Sequence, residues 1–167
     1  MDSIPLADIP NVGTGDDPLS LSRLTTEHAF VLFLFQRDYH CGNCRNQVQA
    51  VAEQYHEFTN RGVEVVSVVP EPRERVADWQ AEYELPFPLC ADPEKELSNA
   101  YDQPVRFGVL GRFSDLLGRM PKAVLLDCRD DDPTVVYTHE GTSTWDRPEI
   151  GELLAVIDDQ LNGAQIN

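Results

Sequence analysis

The chain has 167 residues, 41% of them hydrophobic, enough for one domain with a buried core and no covalent staples. Its 29 Asp and Glu against 13 Lys and Arg give a formal net charge of −16, which argues against nucleic acid and against anionic membrane surfaces as partners. No charged n-region with an apolar h-region marks a signal peptide, and no run of about 18 apolar residues marks a membrane span, so the expected location is the cytoplasm.

Residues 1–18 carry Pro5, Pro10, Gly13, Gly15 and Pro18 with little periodicity and read as an irregular N-terminal arm before one domain over 19–167. Residues 29–35 (AFVLFLF) form a continuous apolar run with the length and composition of a buried strand. Beyond Cys41-Gly42-Asn43-Cys44, the positions Val48, Val51, Ala52, Tyr55 and Phe58 recur at helical spacing. Residues 63–69 (VEVVSVV), entered through Gly62 as a helix-ending residue, give a second buried strand. The resulting strand, helix, strand unit crosses over right-handedly in nearly all proteins and places the cysteines at the carboxyl end of the first strand. Pro72 opens a helix with Val76, Trp79 and Tyr83 on one face, and residues 86–90 are extended. A small helix is expected over 93–101. Strands follow over 123–126 and 135–138, joined by the acidic turn Asp130-Asp131-Asp132, and a helix opened by Pro148 carries Ile150, Leu153, Leu154, Ile157 and Leu161 on one stripe.

Cys41 and Cys44 stand three positions apart at a helix start, where unpaired backbone N–H groups and the helix dipole stabilise a thiolate. In a reducing compartment such a pair points to redox or metal chemistry and not to a permanent bridge. Attack by one thiolate and capture of the product by the other needs no large rearrangement, and Gly42 permits the tight backbone involved. His40, beside Cys41, is placed to lower its pKa or carry a proton, and Arg37 and Arg45 add positive potential, against packing or surface roles for all three. Structural zinc needs four ligands, whereas Cys90 and Cys128 are single and read as small buried residues, so no metal is expected. Asp130, Asp131 and Asp132 read as a solvated turn and not as a calcium loop.

Residues 35–45 (FQRDYHCGNCR), 62–67 (GVEVVS), 85–93 (LPFPLCADP) and Met120-Pro121, in this order, resemble the thioredoxin-fold redoxins, and more narrowly the peroxiredoxin-like branch of the alkyl hydroperoxide reductase and thiol-specific antioxidant family. The resemblance runs from about Leu19 to Leu161. It implies an α/β, thioredoxin-like fold with a central mixed β-sheet flanked by helices. Pro121 matches the family's cis proline, which exposes the backbone of Met120 beside the cysteines. Cys44 falls at the peroxidatic cysteine, while Cys41 and Arg37 replace the threonine and proline of the usual motif, so that motif is broken. Arg119 matches the family's later arginine in displaced form. Thioredoxins, by contrast, use the first cysteine of their pair as nucleophile, and the buried acid that assists them is missing from residues 29–35.

The resemblance thus implies a thiol-dependent antioxidant oxidoreductase, an enzyme reducing peroxides or disulfides through a Cys41/Cys44 dithiol–disulfide cycle. Cys44 is the nucleophile toward peroxide and Cys41 the nucleophile toward disulfides. Electrons would return from a thioredoxin-like partner or a small thiol, with no organic cofactor, and a homodimer stands beside the monomer as an open alternative. A redox sensor docking a partner through residues 103–118 is the non-enzymatic alternative. Acids spread along the whole chain, with only Lys95 and Lys122 as lysines, resemble the proteins of salt-loving archaea. At about 1 M salt the Debye length shrinks to about 3 Å and screens the self-repulsion of such a surface.

Overall fold

The computed structural model describes residues 8–36, 42–93, 97, 122–140 and 148–166. Two short strands, β1 (Asp8–Ile9) and β2 (Leu19–Ser20), pair antiparallel ahead of helix α1 (Leu21–Glu27). The main sheet takes β3 (Phe30–Phe35), β4 (Val63–Val69), β5 (Leu89–Ala91), β6 (Lys122–Asp127) and β7 (Thr134–Glu140) in the order β5-β4-β3-β6-β7. The first three run parallel, β6 and β7 antiparallel to their neighbours, and so the sheet is mixed. Helices α2 (Gly42–Glu53), α3 (Tyr55–Thr59), α4 (Arg73–Tyr83) and α5 (Ile150–Ile166) complete the described elements.

All six residues of β3 are buried, because the strand lies in the middle of the sheet with a core on each face. Phe30, Leu32 and Leu34 point into one cluster with Val65 and Val69 of β4, Val48 and Val51 of α2, Trp79 of α4, and Leu153 and Ile157 of α5. Val31, Phe33 and Phe35 point into the other, with Val66, Val68, Val124 and Leu126 and with Leu21 and Leu24 of α1. Each fully buried Phe or Leu contributes about 1.5–3 kcal/mol. Crossovers β3–α2–β4 and β4–α4–β5 progress in one direction along the sheet, which is why α2 and α4 share a face.

Three differences from the sequence expectation have local causes. The helix expected to run from Val48 through Phe58 breaks at Gln54, whose N–H bonds Val51 C=O three residues back and whose backbone (φ −115°, ψ 22°) leaves the helical region. Pro148 stands outside α5, since Leu153 N–H donates to Glu149 C=O and makes Glu149 the cap. Helix α1 was not expected. Its N-cap is Ser20, whose side chain accepts from Arg23 N–H at 3.2 Å, and only Leu21, Leu24 and Thr25 are buried.

Residues 10–14 lie along the outer edge of β5. Val12 N–H donates to Leu89 C=O (2.9 Å), Ala91 N–H to Pro10 C=O (3.0 Å) and Thr14 N–H to Phe87 C=O (3.4 Å), which covers an edge that would otherwise present open pairing groups. The approach requires glycine at position 13, where a Cβ would stand 2.6 Å from both Leu89 N and Phe87 O. At the close of α3, Gly62 takes φ +77° and turns the chain into β4, as the sequence suggested. Across the molecule, Arg61 clamps α3 to α5 with a bidentate pair to Asp158 (2.7 and 3.2 Å). Among the described residues no helix is long and apolar enough to cross a membrane.

Candidate functional site

The carboxyl ends of β3, β4 and β5 and the start of β6 share one end of the sheet. Helix α2 begins there, with Cys44 as its third residue. Cys44 is fully buried within the cluster formed by Leu34, Val48 and Trp79. No acidic residue occupies the first turn of α2, although the chain as a whole carries −16. The positive end of the helix dipole therefore faces no local carboxylate on its own helix, the setting in which a thiolate gains stability.

Of the residues singled out in the sequence, Arg37, His40, Cys41, Arg119, Met120 and Pro121 lie outside the described residues, as do residues 103–118 and Trp145. Of the helix expected over 93–101, Pro93 and Leu97 are described. Arg45, next to Cys44, turns toward α4. Its guanidinium lies 5.4 Å from the centre of the Trp79 ring, donates to Tyr83 Oη at 3.4 Å and stands 3.9 Å from Glu82. Arg45 thus fastens α2 to α4, and Trp79 is a core residue with no exposure.

Cys90 and Cys128 are free thiols, buried in the cluster on the face of the sheet opposite Cys44. That placement removes Cys90 as a nearby partner for Cys44, because β4 and β3 intervene. Burial pushes the Cys90 thiol well above its usual range, with the charges of Asp17 and Asp92 adding to it. Burial, then the Asp127 charge, pushes Cys128 up to about 11. Neither forms a thiolate at neutral pH. Reduced native protein at pH near 8 is accordingly expected to incorporate iodoacetamide at Cys41 or Cys44 while Cys90 and Cys128 remain unlabelled until denaturant is added, as peptide mapping would show. Cys128 also carries a pH dependence. Below its ordinary value of 9.0 the thiol is protonated in folded and unfolded chains alike, so the stability tied to it is fully present there. As pH rises toward about 11 the unfolded chain ionises first and stability is lost. The loss amounts to roughly 2 kcal/mol, and Cys128→Ala should flatten it in a melting-temperature profile.

Sequence reasoning missed several buried polar groups at this end of the sheet. Gln36 and Ser67 have no exposed surface, and Gln36 Nε2 donates to Ser67 Oγ at 3.1 Å. Lys122, one of only two lysines, is 7% exposed and stands in register with Phe35 of β3 and Glu140 of β7. The available signal was a polar residue at an inward position of an otherwise apolar strand. Away from this end, a cavity of about 200 Å³ between the arm, α1 and β4 is lined by Asp16, Arg23, Glu27, His28 and Glu64 among others, and holds none of the candidate residues. Asp130, Asp131 and Asp132 are exposed, as a solvated turn requires.

A family profile described as the AhpC/TSA family matches residues 2–128, more than half of the chain. The thiol-disulfide oxidoreductase ResA of Bacillus subtilis (strain 168) is 33% identical over 63 residues, 37% of this chain and 35% of that protein. The chain therefore aligns with about a third of that relative's length. The fold resembles the reduced 2-Cys peroxiredoxin of Plasmodium vivax with a TM-score of 0.78 at 15% identity, covering 98% of this chain and 96% of that one. It also resembles the bacterioferritin comigratory protein of Xanthomonas campestris (0.74, 18% identity, 95% and 96% covered) and the peroxidoxin BcpB of Mycobacterium tuberculosis (0.72, 18% identity, 94% and 94% covered). These likenesses establish the thioredoxin-like fold that the motifs implied.

Proposed function

Because the chain belongs to the AhpC/TSA family, we propose that it is a thiol-dependent antioxidant oxidoreductase whose working groups are Cys41 and Cys44. The observation that carries this is Cys44: a buried sulfur in the first turn of α2, at the carboxyl end of β3, disulfide-bonded while Cys90 and Cys128 are free. Its pairing with Cys41 is part of the proposal. In the peroxidase cycle the Cys44 thiolate attacks one peroxide oxygen, the O–O bond breaks, and water or an alcohol departs with a proton, leaving Cys44 as a sulfenic acid. Cys41 then attacks that sulfur, a disulfide forms and water leaves. A dithiol reductant, such as a thioredoxin-like partner or two small thiols, returns the pair to its reduced state and is itself oxidised to a disulfide.

His40, Arg37 and Arg119 supply positive potential or a proton path in this scheme, and Met120-Pro121 offers backbone to the substrate. The similarity to a thiol-disulfide oxidoreductase favours a second reading, disulfide reduction with Cys41 as nucleophile. Steady-state assays separate the two. With a thioredoxin-like reductant supplied, the peroxidase reading expects turnover of hydrogen peroxide or an organic hydroperoxide and little reduction of a protein disulfide such as insulin. The reverse preference would transfer the assignment to the second reading.

A saline cytoplasm is the proposed setting, supported by the excess of acids and by the exposure of Asp16, Asp17, Glu27, Glu53, Asp130, Asp131 and Asp132. A homodimer remains the assembly to test by size in that medium.

A further inference from the structure

Among the described residues no strand pairs with the first residues of β4 on the side away from β3, because β5 reaches only Ser67, Val68 and Val69. The cavity of about 200 Å³ lies there, bordered by the arm and α1, and Glu64 of β4 forms part of its wall. Glu64 Oε1 accepts from Tyr55 Oη at 2.6 Å and from Val65 N–H at 2.9 Å. Both bonds fall on one oxygen, and Oε2 takes none among the described residues. The half-buried His28, also in the wall, has an imidazole with no hydrogen-bond partner among the described residues.

The mouth carries charge of its own. Arg23 pairs there with Glu27 at 2.7 Å and with Asp16 at 3.5 Å, and those carboxylate side chains are 51% and 76% exposed. One guanidinium against two carboxylates leaves a negative charge at the mouth, and the half-buried Glu64 adds another deeper in the wall. Leu19, Leu24 and Pro88 supply apolar surface to the same cavity.

This lining selects its guest. Anions are repelled by the excess of carboxylates. A metal ion does not fit, since among the described residues no group of three or more His, Cys, Asp or Glu is placed to hold one. A neutral apolar guest would strip water from Glu64 and His28 without replacing its bonds, which is unfavourable. An ammonium group donates to both. At about 30 Å³ per water the cavity has room for on the order of seven waters, close to the bulk of a short aliphatic chain with an amine at each end.

We propose that this cavity binds a short aliphatic diamine, one ammonium on Glu64 and His28, the other at the mouth beside Asp16 and Glu27, and the methylenes against Leu19 and Leu24. The guest joins the arm and α1 to β4, away from the cysteines, and is independent of the thiol chemistry proposed above.

The test is a titration of the full chain with putrescine in high salt, followed by backbone amide NMR shifts. High salt matters because a chain of net charge −16 gathers any cation as a counter-ion in dilute buffer. The expected result is one saturable site, with shifts confined to residues 14–28 and 63–65. Glu64→Gln keeps an oxygen for Tyr55 and Val65 but removes the charge, and should weaken binding about tenfold. Asp16→Asn, at the exposed mouth, should weaken it about threefold, and Asp131→Asn in the remote acidic turn should leave it unchanged. Butylamine, with one charged end, should bind about tenfold more weakly than putrescine. Shifts that spread over the acidic surface without saturating would overturn the site. Parent affinity in both Glu64→Gln and Asp16→Asn, or butylamine binding as tightly as putrescine, would overturn it equally.

Discussion

Replacing Cys44 by serine is expected to lower the rate at which hydrogen peroxide oxidises the reduced protein by a factor on the order of 10³ or more, to the level of an incidental thiol. A serine hydroxyl keeps its proton at neutral pH whatever the helix dipole does, so the first turn of α2 loses its nucleophile without losing its shape. Cys41→Ser should behave differently. The first oxidation persists at near the parent rate, but the sulfenic acid finds no resolving thiol and goes on to sulfinic acid with excess peroxide, a mass gain visible on intact protein. Cys90 does not rescue this variant, because it sits across the sheet in the other cluster. The opposite pattern, rate lost with Cys41→Ser and kept with Cys44→Ser, would assign the nucleophile to the first cysteine and favour disulfide exchange.

The second large effect concerns Asn11, a buried polar residue of the arm that bridges to Cys90 of β5. Its Oδ1 accepts from Gly13 N–H (2.9 Å) and from Leu89 N–H (3.0 Å) of the sheet's edge strand, and its Nδ2 donates to Thr14 C=O (2.7 Å) and Asp16 C=O (3.0 Å). One side chain thereby folds the arm on itself and ties it to β5. Asn11→Ala leaves four backbone groups to find new partners, and the expected destabilisation is about 3 kcal/mol. It should appear in urea titration as a lower midpoint with an unchanged slope, and amide exchange should quicken first in residues 11–14 and 89–91. High salt should not soften the effect, since the bonds join neutral groups that ionic screening does not touch. A loss under about 1 kcal/mol would mean that the arm contributes little to the fold. The nearby Asp17–Arg73 ion pair is exposed, and Asp17→Asn should cost far less.

These two residues mark what was legible in the sequence and what was not. Residues 29–35 and 63–69 read as buried strands because a strand with a core on each face has no polar side to show, and β3 and β4 occupy nearly those positions. The cysteine pair was visible because its spacing coincides with the switch from strand to helical periodicity. Asn11 was not legible, since an asparagine among Pro10, Gly13 and Gly15 looks the same whether it faces solvent or knots four backbone groups. Helix α1 was hidden by its length: seven residues hold too few turns for a periodic signal, and Ser20 was the only cue to its start. The break between α2 and α3 at Gln54 follows from backbone bonding that side-chain spacing does not encode. Gln36 follows one apolar run and Ser67 interrupts the other, and a polar residue at an inward position requires a partner: Gln36 Nε2 donates to Ser67 Oγ.

The most direct test of the central claim is the single-turnover rate of the fully reduced protein with hydrogen peroxide in high salt, followed by stopped-flow tryptophan fluorescence and by mass after quenching. The expected result is oxidation far faster than that of a free cysteine thiolate at the same pH, ending in a loss of two hydrogens that maps to Cys41 and Cys44. A rate no faster than the free thiolate would contradict peroxidase chemistry at this dithiol.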